Sequence, residues 1–265
     1  MTADVFTLRD KVVVVTGGGG MLGRSFCTAL AARGARVASF DVTTPKPRTS
    51  ADDRILAVQV DVTRRESVEA ALRTVKDKFG VPDGLVNCAA LDSPPGASAA
   101  QNGPVETYPA DVWDQVMNVN VKGVFVTCQV VGAAMRAAGR GAIVNIASIY
   151  GMVAPDQRLY EYRRARGEEF YKPAAYSASK SALLNLTRHL AAYWAPHGIR
   201  VNTLSLGGVF NNQDPEFLTQ YEGRTPMGRM AQPGEYDGAI VFLLSAASSY
   251  MTGANLVLDG GWTAW

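Results

Sequence analysis

The chain has 265 residues, 47% apolar and 19% charged, with 26 Lys and Arg against 24 Asp and Glu for a net charge of +2. This composition and length suit one large α/β domain, and the basic residues are too scattered to form a nucleic-acid-binding stripe. Cys27, Cys88 and Cys128 lie too far apart for metal-ligand or CxxC spacing, which fits a reducing cytoplasm; the N-terminus has no leader pattern and no apolar run approaches membrane-spanning length, so a soluble chain with no membrane partner is expected.

In chain order, short runs rich in Val and Ile predict strands at Val12–Val15, Arg36–Phe40, Ile55–Val60, Gly84–Asn87, Ala142–Ile146, Arg200–Leu204 and Asn255–Leu258. Between them, apolar residues at three- and four-residue steps predict helices at Met21–Arg33, Arg65–Phe79, Ala175–Trp194 and Gly234–Ser245. Strands that alternate with helices need crossover connections, so the expected fold is a single-domain, Rossmann-like, doubly wound parallel sheet of about seven strands. No repeat or long linker divides the chain. Only Gly151–Pro173, crowded with Arg, Glu and Tyr, reads poorly as core and is expected to be a surface insertion.

The first strand runs into Thr16-Gly17-Gly18-Gly19-Gly20-Met21-Leu22-Gly23, followed at once by a helix. Glycines there allow a tight turn and close backbone approach to a pyrophosphate at the helix N-terminus, although a glycine run by itself also describes an ordinary loop. Asp41 ends the second strand, where a carboxylate can accept hydrogen bonds from adenosine-ribose hydroxyls and repel a 2′-phosphate; that placement favours NAD over NADP, and a turn-forming aspartate is the other reading. Farther on, Ser148 stands at the C-terminal end of a central strand, where open α/β sheets bind ligands. A strand-end capping hydroxyl would look the same. Tyr176 and Lys180, four apart on a predicted helix, share one face, and a neighbouring ammonium favours phenolate over phenol, lowering the tyrosine pKa toward the range of a useful base.

Together, Thr16–Gly23, Asp41, Asp61-Val62, Asn87-Cys88-Ala89-Ala90, Asn120, Ser148 and Tyr176–Lys180 resemble, in order and context, the short-chain dehydrogenase/reductase family over essentially the whole chain. The resemblance implies a metal-free catalytic set: Tyr176 as acid/base, Ser148 polarising the substrate oxygen, Lys180 on the nicotinamide ribose, and Asn120 holding a relay water. It implies that Gly17, Gly20, Met21, Leu22, Gly23, Asp41, Asp61, Val62, Asn87, Tyr176, Lys180, Gly207 and Val209 bind the cofactor. Asp61 and Val62 would flank the adenine, Asn87 would support the central strand, and Gly207–Val209 would meet the carboxamide. Asp259-Gly260-Gly261 is similar to a closing motif near the subunit interface, and a homotetramer is implied.

The chain departs from the family's usual short form. Met21 occupies a glycine position, so Gly17, Gly20 and Gly23 reproduce a spacing common in its sugar-nucleotide branch, for whose substrate domain the chain is too short. Ala90 replaces a glycine and Leu206 a proline. Tyr176 lies 28 positions after Ser148, a longer step than the family usually shows. The extra segment includes Arg158, which with Tyr150 and Asn211 is a candidate substrate contact, since arginine recognises anions and tyrosine stacks on sugar faces. Acidic neighbours nearly balance its arginines, so a solvated loop or an oligomer contact is the competing reading. His189 and His197 lack carboxylate partners and are expected to be structural. Trp262 and Trp265 are expected in a subunit contact.

The expected function is NAD-dependent hydride transfer between nicotinamide and a small secondary alcohol or ketone, on a hydroxyl-rich substrate such as a sugar or sugar acid. The alternatives are a non-catalytic NAD-sensing regulator, a reductase of 3-oxoacyl-type or other small ketones, and a sugar-nucleotide epimerase or dehydratase.

Overall fold

The first strand, β1 (Val12–Thr16), is apolar at every position but its last, and all five residues are buried. Its side chains alternate between two cores: Val12 and Val14 join one, Val13 and Val15 the other. A strand buried on both faces needs helices on both sides and a place inside a sheet. In the computed structural model, which describes residues 4–43, 53–92 and 102–265, β1 has that place.

The sheet comprises β1, β2 (Arg36–Asp41), β3 (Ile55–Gln59), β4 (Gly84–Asn87), β5 (Gly141–Ser148), β6 (Ile199–Leu206) and β7 (Asn255–Leu258). All pairings are parallel and the order is β3-β2-β1-β4-β5-β6-β7. The order reverses between β1 and β4, which opens a crevice beyond the C-terminal strand ends. One face carries α2 (Arg65–Phe79), α4 (Val124–Ala138) and α6 (Ala174–Trp194); the other carries α1 (Met21–Ala32) and α8 (Asp237–Leu244).

The expected strands are present, with β5 and β6 each extended to eight residues. The last expected helix begins at Asp237, because Pro233–Tyr236 is a separate 3-10 turn. Outside the expected set lie α3 (Ala110–Met117) and α4, joined through a π-helical turn at Asn118–Gly123. The run Ala110–Ala138 is 29 residues and contains an 18-residue window of mean hydropathy 1.2, so a segment of membrane-spanning length and composition does exist. Its buried residues, among them Cys128, Val131 and Met135, belong to the core beside α6.

Gly151–Pro173 is more than a surface insertion. Its Leu159, Tyr160 and Phe170 are buried in a third apolar cluster with Tyr150, Met230 and Trp262 and with Tyr221 of α7 (Pro215–Arg224). The segment also holds a short helix, α5 (Glu161–Ala165). Trp262 is buried within the chain by stacking on Tyr221, with ring centroids 4.3 Å apart, rather than awaiting a subunit. Trp265 is exposed.

Candidate active site

A cavity of about 1070 Å³ lies beyond the C-terminal strand ends and runs from the glycine loop to α7. At its first end, Gly17 holds φ +66°, and a Cβ there would sit 2.8 Å from the Ala89 backbone, so only glycine fits. A side chain on Gly23 would run into the carbonyl of Gly17, which lets α1 start tight against the loop. The N-cap of α1 is Gly20, with no capping side chain and no acidic residue in the first turn. Its first N–H groups and the positive end of its dipole are therefore available to an anion.

Gly17, Gly20, Met21, Leu22 and Gly23 all line the cavity. Asp41 lines it too, while its carboxylate accepts hydrogen bonds from Gly19 N (2.9 Å) and from Thr43 N and Oγ1 (3.0 and 2.9 Å). Asp41 thus shapes the turn and also lines the cavity. Asp61 and Val62 form the neighbouring wall, with Asp61 Oδ1 fixed by Thr63 N and Oγ1. Gly207 and Val209 line the opposite side. A groove with an uncapped helix end, glycines that admit backbone approach, and an acid at the second strand end fits a dinucleotide.

Two of the expected contacts are elsewhere. Asn87 is buried outside the cavity lining, donating to Asn145 Oδ1 (2.8 Å) and Cys128 Sγ (3.2 Å). Asn145 continues to Thr187, and Thr203 to the same hydroxyl, so Asn87 belongs to a polar network that ties the central strands to α6. Asn120 is also outside the lining. Its side chain is spent on Leu91 N (2.7 Å), Leu91 O (2.9 Å) and Ser179 Oγ (3.0 Å), which leaves it as a brace between the π turn, the segment after β4 and α6.

At the second end, Ser148 closes β5 and accepts from Tyr150 N (3.2 Å), capping the turn Ile149–Gly151. That turn packs hard against α6: a Cβ on Gly151 would sit 2.8 Å from the Lys180 backbone, and Ser181 Oγ donates to Gly151 O (2.9 Å). This close approach brings Ser148 within hydrogen-bond reach of Tyr176 across 28 positions of sequence. Tyr176 stands in the first turn of α6 and Lys180 one turn below it. Lys180 Nζ donates to Ile146 O (2.9 Å) and lies 5.6 Å from the Tyr176 ring.

The titration of these groups departs from the sequence expectation. Burial, reinforced by the Asp92 carboxylate, pushes the Tyr176 phenol well above its ordinary range, while the Ser148 hydrogen bond pulls the other way. Burial also lowers the Lys180 ammonium. Lys180 is anchored to a backbone carbonyl rather than to the phenol oxygen, so desolvation prevails over the ammonium's help.

Tyr150 and Asn211 line the cavity as expected. Arg158 does not. Its guanidinium turns back to Asp156 (Nε–Oδ1 3.0 Å, Nη2–Oδ2 2.9 Å) and is largely exposed, because Asp156 caps the turn Gln157–Tyr160 and captures it. Arg163 reaches the cavity in its place, paired with Glu168 (2.6 Å) and lying 4.2 Å over the Phe170 ring. Asp92, Tyr160, Lys172 and Phe217, outside the sequence candidates, also line the cavity. Asp92 was findable, since it follows β4 just beyond its C-terminal end.

A family model described as enoyl-(acyl carrier protein) reductase matches residues 20–263. Galactitol 2-dehydrogenase (L-tagatose-forming) of Cereibacter sphaeroides is 37% identical, covering 98% of this chain and 98% of its own length. The NAD-dependent glycerol dehydrogenase of Listeria innocua is 33% identical over 97% of this chain and 96% of its own. Among solved structures, a short-chain dehydrogenase from Leptospira borgpetersenii with bound NAD+ superposes with a TM-score of 0.88 at 33% identity, covering 99% of this chain and 97% of that one. Likeness of this extent, in sequence and in fold alike, means that the chain belongs to the short-chain dehydrogenase/reductase family of oxidoreductases.

Proposed function

We propose that the chain is an NAD-dependent oxidoreductase that interconverts a secondary hydroxyl and a ketone on a small hydroxyl-rich molecule, a polyol or sugar. The observation that carries this reading is the meeting of Ser148, Tyr176 and Lys180 in the same cavity as the glycine loop and Asp41. The names of the galactitol and glycerol dehydrogenases support the substrate class, and the bound NAD+ of the Leptospira relative supports the cofactor.

Gly17–Gly23 and the start of α1 would hold the pyrophosphate, Asp41 the adenosine ribose, Asp61 and Val62 the adenine edge, and Gly207 and Val209 the nicotinamide end. Bound nicotinamide would supply the acceptor or donor of two electrons and a hydrogen. The remaining chemistry belongs to the chain. Ser148 Oγ donates to the reacting oxygen and fixes it beside the Tyr176 hydroxyl. On oxidation, the phenolate of Tyr176 accepts the substrate hydroxyl proton; on reduction, the phenol returns one. Lys180, held by Ile146 O, keeps a positive charge one turn below the tyrosine, where it favours the phenolate. Asn120 keeps the segment after β4 in register with α6, acting as a positioning residue.

Tyr150, Asn211 and the aromatic rings of Tyr160 and Phe170 would make the substrate wall, as apolar ring faces and hydroxyls suit sugar C–H faces and hydroxyls. The same reading takes the working form as a cytoplasmic homotetramer, on the family resemblance and on three unpaired cysteines.

Tyr176→Phe tests the assignment. NAD binding by calorimetry should persist within about twofold while turnover falls by about 10²- to 10⁴-fold, the usual range for a lost acid/base. A variant that turns over like the parent would leave a dinucleotide sensor as the better reading.

A further inference from the structure

Lys172 lies at the end of the Gly151–Pro173 segment, four residues before the reacting tyrosine. Its side chain is 8% exposed, and its Nζ sits 4.6 Å from the centroid of the Tyr176 ring, nearer than Lys180 at 5.6 Å. An ammonium buried to that degree is costly unless paired. Its partner is the carboxylate of Asp92, which is half exposed, and both residues line the cavity beside Ser148 and Tyr176.

The backbone that presents Lys172 is fixed on purpose-built contacts. Gln157 clamps it from both sides, accepting from Lys172 N (2.9 Å) and donating to Lys172 O (3.0 Å). Arg164 then ties the same turn together by donating to Gln157 O (2.9 Å) and Phe170 O (3.0 Å). Much of the long step between Ser148 and Tyr176 thus serves to place one ammonium at the substrate end.

We propose that Lys172 and Asp92 are the specificity-determining pair of this site, gripping the hydroxyl next to the reacting one on a neutral polyol or ketose. This rests on the polyol-oxidoreductase reading. An ammonium offers three donors and a carboxylate only acceptors, so the pair can donate to a hydroxyl oxygen and accept from a hydroxyl hydrogen at once. A second hydroxyl satisfies both members, whereas a simple alcohol leaves them facing an alkyl group. The pair is neutral overall, and Arg163 at the same end is matched by Glu168, so both cations contributed by the Gly151–Pro173 segment to that end already hold carboxylates. That charge balance favours a neutral substrate over a sugar acid.

The test is the preference for 2,3-butanediol over 2-butanol, which differ by one hydroxyl, as the ratio of kcat/KM values with saturating NAD. The parent should prefer the diol, and both Lys172→Met and Asp92→Asn should shrink that preference by about tenfold or more, the range for losing a hydrogen bond to a charged group. Lys172→Gln, which keeps a donor, should recover part of it. NAD binding by calorimetry verifies the fold, and if Lys172→Met fails there, Lys172→Gln decides by the same ratio. A ratio within about twofold of the parent's in the variants overturns the pair's role, as does an equal loss on both alcohols, which would mean Lys172 acts through Tyr176. A parent that oxidises no diol or longer polyol overturns the polyol reading and this inference with it; a parent active on diols with unchanged variants overturns this inference alone.

Discussion

In the proposed reaction Tyr176 carries the proton, and its surroundings set when it can act. Burial and the nearby Asp92 carboxylate both disfavour the phenolate, so the group keeps its proton well above the ordinary tyrosine range until cofactor and substrate arrive. Oxidation needs the phenolate and reduction the phenol, which fixes the sign. With NAD and a polyol, kcat/KM should rise steadily from neutral to alkaline pH, whereas reduction of the matching ketone should stay flat through neutrality. A bell centred near neutrality for oxidation would mean that Lys180 and the bound cofactor overcome the desolvation. The meeting of Ser148, Tyr176 and Lys180 in one cavity was legible in sequence because one strand end and one helix turn carry them. The direction of the tyrosine's shift was not legible, since it depends on how much water the fold removes and on a carboxylate 84 positions away. Arg158 shows the same limit: side-chain type suggested a ligand, and the nearby Asp156 claimed the group first. Asn87 supports the central strands as the resemblance implies, through Asn145, and lies outside the cavity lining.

At the scale of elements, the Gly151–Pro173 segment and α7 act as one wall. Tyr162 Oη donates to Asp214 Oδ2 (2.7 Å), Arg166 pairs with Glu216, and Arg224 of α7 pairs with Asp156. The rings of Tyr160 and Phe217 meet across the same seam, 5.5 Å apart. Asp156 is the hub, for it caps its own turn, holds Arg158 and receives Arg224. Asp156→Ala should cost about 1–2 kcal/mol of stability, the range for losing a cap, and should raise the KM for polyols more than it lowers kcat. Urea unfolding and steady-state kinetics check both; a stability and KM equal to the parent's would mean the seam is held without it. In sequence the segment reads as a charged surface loop because four arginines and four acids are interspersed along it. Its buried positions, Leu159, Tyr160 and Phe170, follow neither helical nor strand periodicity, so no pattern announced them. The α3–α4 run is hard to read for a related reason, as a π turn interrupts its helical period midway.

Across the whole molecule, the sheet was the most legible part. Alternation of short Val- and Ile-rich runs with amphipathic helices leaves few topologies once parallel crossovers are right-handed. The sheet's reversal between β1 and β4 then dictates where a ligand sits; the glycine loop, Asp41 and Ser148 arrive there from separate strand ends, and Tyr176 from the first turn of α6. Cys27 and Cys128 lie outside that cavity, while Cys88 lines it. Burial raises their thiols to about 12, 11 and 12, which keeps them inert. The central claim is that this arrangement uses NAD to oxidise a polyol, and it is tested most directly by following NADH formation by the purified chain. The panel is glycerol, tetritols, hexitols, aldoses, sugar acids and simple secondary alcohols, each with NAD and with NADP. Polyols or sugars oxidised with NAD, at a kcat/KM at least about tenfold above that with NADP, are the predicted result, since a carboxylate at Asp41 would accept from ribose hydroxyls and repel a 2′-phosphate. Turnover with NADP alone, or none on any hydroxyl-rich substrate despite NAD binding, would contradict it.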